Sequence, residues 1–132
     1  MMDSCSAGCL CGAVRITAVG VPLRVGICHC LNCRKHHGAL FFAAAIFLQD
    51  AVSIMGETSS YEGRHFCPIC GSSVFARSWN EIEIHLGALD HQSQFKPGYE
   101  LWTERREDWL PRFHGTRRYR QNPNPNDQET DY

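Results

Sequence analysis

Cys28, Cys30 and Cys33 put three thiols into six consecutive positions of "ICHCLNCRKHHG", with Arg34, Lys35, His36 and His37 close behind. Thiolates are soft ligands, and three of them are one short of the four that close a tetrahedral zinc site. A metal held by three protein ligands keeps an exchangeable position. An incoming thiol could bind there, lose its proton at neutral pH and react as the nucleophilic thiolate. The alternative is closure by His29, His36, His37 or Cys5, which would make the site structural. Arg34 offers a planar fork for a carboxylate on such a thiol, or else belongs to a solvated helix face; Lys35 reads as solvated.

A second set is Cys9 and Cys11 in "GCLCGAV" with Cys67 and Cys70 in "FCPICGS". Cys9 and Cys11, two apart on a strand that bends at Gly12, would present both sulfurs to one point. Pro68 and Gly71 suit a knuckle that brings Cys67 and Cys70 together. Four thiolates leave no open position, the mark of a structural zinc. A redox dithiol at Cys67 and Cys70 is the competing reading, but no βαβ pattern surrounds it. Seven of the eight cysteines fall in C-x-C or C-x-x-C groups, and the start of the sequence lacks the basic and then apolar pattern of an export signal. Both favour metal binding over a disulfide framework.

The elements that must position these groups are short. Ala13–Val19, Leu23–Cys28, Phe41–Leu48, Val52–Met55, Ser73–Ala76 and Ile82–Leu86 read as strands, and Phe41–Leu48 is apolar enough to be buried on both faces. Leu31–His37, ended by Gly38, reads as a helix, and Glu104–Leu110 as a weaker helical turn. His65 and His85 read as packing or hydrogen-bonded residues rather than ligands, and Phe95, Tyr99, Trp102 and Trp109 as core rather than as the wall of a pocket. A chain of 132 residues with net charge −1 fits one domain over residues 1–120, with no field to attract nucleic acid or an anionic membrane. Residues 121–132, "QNPNPNDQETDY", read as a tail without fixed structure. The longest apolar stretch, Ala39–Leu48, is about half the roughly 20 residues of a membrane helix. The expected location is the cytoplasm.

The segments "GCLCGAVRI", "CHCLNCRKHHGALF", "RHFCPICGSSVF" and "LGALDHQSQFKPGYELWTERREDWLPRF" together resemble the glutathione-dependent formaldehyde-activating enzyme family, which includes centromere protein V-like proteins. The resemblance runs from Gly8 to about Phe113 and departs at Glu100, where members often carry histidine. It implies a mainly β, Mss4-like compact antiparallel fold built around zinc, with short helical insertions. It implies a structural zinc on Cys9, Cys11, Cys67 and Cys70. A second, more labile zinc would sit at an active site made by Cys28, Cys30 and Cys33; Arg34 beside it is, from its own chemistry, the candidate binding residue for glutathione. The implied reaction joins a small-molecule thiol to an aldehyde, as glutathione and formaldehyde give S-hydroxymethylglutathione, and its reverse is a carbon–sulfur lyase step.

Two other functions compete with this one. A zinc-stabilised binding module would use the basic cluster Arg112–Arg120, and its nucleic-acid binding would weaken steeply with salt. A thiol or redox sensor would release zinc when the three-cysteine site is oxidised, with Cys5 as an extra thiol. Edge strands leave the chain a monomer or a homodimer.

Overall fold

Runs of alternating or continuous apolar residues, cut every few positions by glycine and polar turns, fold as short strands. The computed structural model describes residues 3–123. Its strands are β1 (Ser4–Gly8), β2 (Arg15–Val19), β3 (Arg24–Cys28), β4 (Phe42–Leu48), β5 (Val52–Met55), β6 (Ser59–Tyr61), β7 (Arg64–Phe66), β8 (Ser73–Ser78), β9 (Glu81–His85), β10 (Tyr99–Leu101) and β11 (Arg117–Arg118). One helix, α1 (Leu31–His37), and three single turns of 3₁₀ helix complete the set. The fold is therefore mainly β with short helical insertions, as the sequence implies. The second of the expected helical segments shrinks to the turn Thr103–Arg105.

The chain forms two compact units. The first comprises Met1–Arg24 and Ala44–Phe95. In it β1, β2 and β5 make an antiparallel sheet, with Ile16 opposite Ala7 on one side and Ile54 on the other. The strands β4, β9, β8, β7 and β6 follow one another in a second antiparallel series. Alternation decides what is buried. Ile16 and Ala18 of β2 and Ile82 and Ile84 of β9 turn inward, while Ala44 to Phe47 of β4 are buried without a break, as expected of a strand covered on both faces.

The second unit comprises Val25–Ala43 and Lys96–Tyr132. Here β10 runs parallel to β3 on one side and to β11 on the other, the parallel part of an otherwise antiparallel set of strands. Parallel neighbours cannot be joined by a tight turn, and β3 and β10 are separated by most of the chain. Its fully buried residues are few and largely polar: Ile27, Cys28, His29, Glu100 and Thr103, with Gly26. Of the tail, only 121–123 are described; Gln121 donates to Glu104 at 2.9 Å and Asn122 accepts from the Trp102 indole at 3.0 Å, and the remainder lies outside the described residues. No helix among the described residues is long and apolar enough to cross a membrane.

Candidate metal centres

In the first unit β1 ends at Gly8, and Cys9 opens a turn rather than extending a strand. The Gly12 N–H reaches the Cys9 carbonyl at 3.2 Å. The expected strand geometry for Cys9 and Cys11 is thus replaced by a knuckle like the one at Cys67, where the Gly71 N–H meets the Cys67 carbonyl at 2.9 Å. Both turns need a left-handed glycine, Gly12 with φ 86° and Gly71 with φ 80°. The four sulfurs lie within 4.8 Å of one another, with Cys11 Sγ 3.7 Å from both Cys9 Sγ and Cys67 Sγ. Tetrahedral bonds of about 2.3 Å to one ion would set sulfurs about 3.8 Å apart.

Donors surround these sulfurs. Val14 N–H points at Cys9 Sγ at 3.2 Å, Ile69 N–H at Cys67 Sγ at 3.4 Å, and Ser72 Oγ lies 3.2 Å from Cys70 Sγ. Ser72 Oγ also accepts the Leu10 N–H at 3.0 Å, which ties one knuckle to the other. The Ser72 hydroxyl, with backbone N–H groups of Ser72 and Cys11, pulls the Cys70 thiol down to about 5. Cys11 has a backbone donor at Ala13, but partial desolvation and the crowding of Cys9, Cys70 and Cys67 push it up to about 11. Four sulfurs in this arrangement cannot all ionise without a cation among them, so the donor set fits a thiophilic dication.

In the second unit Cys28 ends β3, Cys30 caps α1, and Cys33 lies in its first turn. Cys30 is extended, with φ −61° and ψ 154°, and its sulfur accepts the Cys33 N–H at 3.3 Å. Gly38 closes the helix in the left-handed region, donating its N–H to the Arg34 carbonyl. The three sulfurs again lie within 4.8 Å of one another. The Cys33 thiol is pushed well above its ordinary value, first by its hydrogen bond with Cys28, then by burial and by the neighbouring charges. Three converged sulfurs, one of them a thiol that resists ionising, also fit a thiophilic dication.

No fourth cysteine, histidine or carboxylate joins this set among the described residues. Cys5 lies buried in β1 of the first unit, its thiol raised by that burial. His36 and His37 pack edge to face at 5.0 Å, and His37 stacks on Phe42 at 4.8 Å. His29 is turned to Glu100, its Nε2 2.9 Å from Oε1, and both side chains are completely buried. Arg34 donates to the Arg105 carbonyl at 3.0 Å and pairs with Glu107.

Neither acid was visible as a partner in the sequence. Glu100 lies on β10, which is paired on both edges, and is completely buried. Arg34 and Lys35 border a pocket of about 450 Å³ completed by Leu31, Gly38, Ala39 and Leu40, with no acidic lining. The aromatics do not gather into a wall: Phe95 packs on Phe47 at 6.3 Å, Trp102 bonds Asn122, and Trp109 is exposed.

A family model described as glutathione-dependent formaldehyde-activating enzyme matches residues 4–105, a span that holds both cysteine sets and Glu100. No curated protein matches the chain.

Proposed function

The chain belongs to the glutathione-dependent formaldehyde-activating enzyme family, and from that premise we propose that it is a zinc-dependent carbon–sulfur lyase working on a thiol–aldehyde adduct. The observation that supports this most is the converged but three-membered set of Cys28, Cys30 and Cys33. Cys9, Cys11, Cys67 and Cys70 would hold a structural zinc with no position to spare. A zinc on Cys28, Cys30 and Cys33 would supply one exchangeable position and the positive charge that keeps a bound thiol deprotonated.

The residues around that set supply binding and orientation. Helix α1 fixes Cys30 and Cys33 one turn apart, so that an incoming sulfur meets a preformed three-sided seat. Arg34 and Lys35, on a pocket without acids, suit the carboxylates of glutathione, for which Arg34 exchanges its Glu107 partner. In the reaction the thiol sulfur attacks the aldehyde carbon and a C–S bond forms. The C=O π pair moves to oxygen, which becomes a hydroxyl carrying a proton in place of the one the thiol gave up. The lyase direction reverses each change. Free cysteines throughout and a glutathione requirement fit the reducing cytoplasm.

The test counts zinc per chain with and without glutathione and follows turnover of formaldehyde with glutathione, in wild type and in Cys30→Ser. Two zincs in the wild type, one of them perturbed by glutathione, with that one and the turnover both lost in the variant, is the expected result. Undiminished turnover in Cys30→Ser would refute the assignment. So would two zincs indifferent to glutathione in a protein without turnover, a result that favours a binding module.

A further inference from the structure

The second unit buries an ionised carboxylate where a small β unit would ordinarily bury an aliphatic side chain. Glu100 is completely buried, and each of its oxygens is engaged. Oε1 lies 2.9 Å from His29 Nε2; Oε2 accepts from Thr116 Oγ1 at 2.5 Å and faces Arg118 Nε at 3.4 Å. Burial works against the charge, but the hydrogen bonds from His29 and Thr116 outweigh it and hold the carboxyl below its ordinary range. An ionised carboxylate only accepts, so Nε2 carries the His29 proton. The other ring nitrogen, Nδ1, is buried with no hydrogen-bond partner among the described residues.

The placement of His29 gives this pair a purpose. Cys28 and Cys30 are two apart in extended backbone and share one side of the chain; His29, between them, projects to the other. There its ring leans on Phe41 at 5.7 Å and bonds Glu100, while its backbone N–H is held by the Leu101 carbonyl at 3.0 Å. The register that sets Leu101 opposite Cys28 puts Glu100 opposite Ile27, one residue before the first thiol. A buried hydrogen-bonded carboxylate is seldom the most stabilising way to fill a core, and its better attested use is to fix one arrangement among several.

We propose that Glu100 is the positioning residue of the Cys28, Cys30 and Cys33 centre: through His29 it pins the back of the ligand-bearing segment, so that the three sulfurs stand at coordinating distance before the metal arrives. This rests on the metal-binding half of the function proposed above and not on the lyase step. Loss of a group that orients a metal's ligands typically costs 10–100-fold in affinity.

The experiment titrates zinc-loaded, fully reduced protein with a chromophoric chelator and reads the affinity of each site separately, the weaker one being identified by its absence in Cys30→Ser. Glu100→Leu is expected to weaken that site by roughly tenfold or more and leave the four-cysteine site unchanged. Glu100→Gln keeps an oxygen for the His29 N–H and should restore most of the affinity.

Should Glu100→Leu fail to fold, the double variant His29→Phe with Glu100→Leu replaces the pair by apolar groups of similar size, a change that cores tolerate. It is expected to fold and still to bind the second zinc weakly. A second site of wild-type affinity in the double variant, or equal losses at both sites, would overturn the proposal. A weakened second site in a protein that shows no turnover of glutathione and formaldehyde would support it while removing the lyase reading. A wild-type protein with only one zinc would overturn both.

Discussion

Cys30 holds two positions at once, as a metal-ligand candidate and as the cap of α1, where its sulfur accepts the Cys33 N–H. Serine is a better cap than cysteine and a poor ligand for a soft metal, so Cys30→Ser should separate the roles. Thermal unfolding is expected to shift by no more than about 1 kcal/mol in stability, with the second metal gone. The two sets should also part in pH. Thiols must lose their protons to bind metal, so a raised thiol weakens binding as pH falls; each set has one, Cys33 and Cys11, but the four-cysteine set also has Cys70, lowered to about 5. Lowering the pH stepwise from neutral should release the metal of the three-cysteine set first, as read by a zinc-sensitive dye; simultaneous release would contradict this. At this scale the seven clustered cysteines were legible because ligand spacing is local in sequence. The partners His29–Glu100 and Arg34–Glu107 were not, since each joins residues more than seventy positions apart through contacts that only the fold creates.

Helix α1 and strand β5 begin and end where their patterns say, because a cap, a left-handed glycine and a clean alternation mark them. Strands β1, β6, β7, β10 and β11 escaped notice. Their residues, such as Ser4–Gly8 or Arg117–Arg118, carry little apolar or β-branched content, and neighbouring strands hold them in place. The pairing of β3 with β10 depends on one close approach, Gly26 opposite Tyr99. A Cβ on Gly26 would overlap the Tyr99 ring, so Gly26→Ala should cost about 3 kcal/mol in urea unfolding. In the background of Tyr99→Ala the same change should cost far less, a coupling readable in a double-mutant cycle. The β8–β9 hairpin turns at Trp79, a fully solvated side chain with φ 57°. Relief of that left-handed strain should let Trp79→Gly keep or raise stability, by up to about 1 kcal/mol, although it deletes the largest side chain available.

Across the whole chain, metals on the two cysteine sets would close loops of very different length. Cys11 and Cys67 are 56 positions apart, so a metal on the four-cysteine set closes a long loop, while the three-cysteine set closes almost none. Stripping all metal with a strong chelator should therefore lower the melting temperature well beyond the small change in Cys30→Ser, and equal effects would speak against a structural role for the first set. Family membership was legible from four segments of the sequence, three of which carry the cysteine spacings. The parallel placement of β10 was not, because nothing near residue 99 signals which distant strand it will join. The compactness of the second set also orders events in time. Its ligands are complete once residue 33 is polymerised, whereas the first set waits for Cys70, 37 positions later. At ordinary translation speeds that is about 2–7 s in which a growing chain carries all three thiols of the second set, with neither the four-thiol clasp nor Glu100 yet made. The three-cysteine set is thus the first to have all its candidate ligands and the last to gain the buried carboxylate behind them.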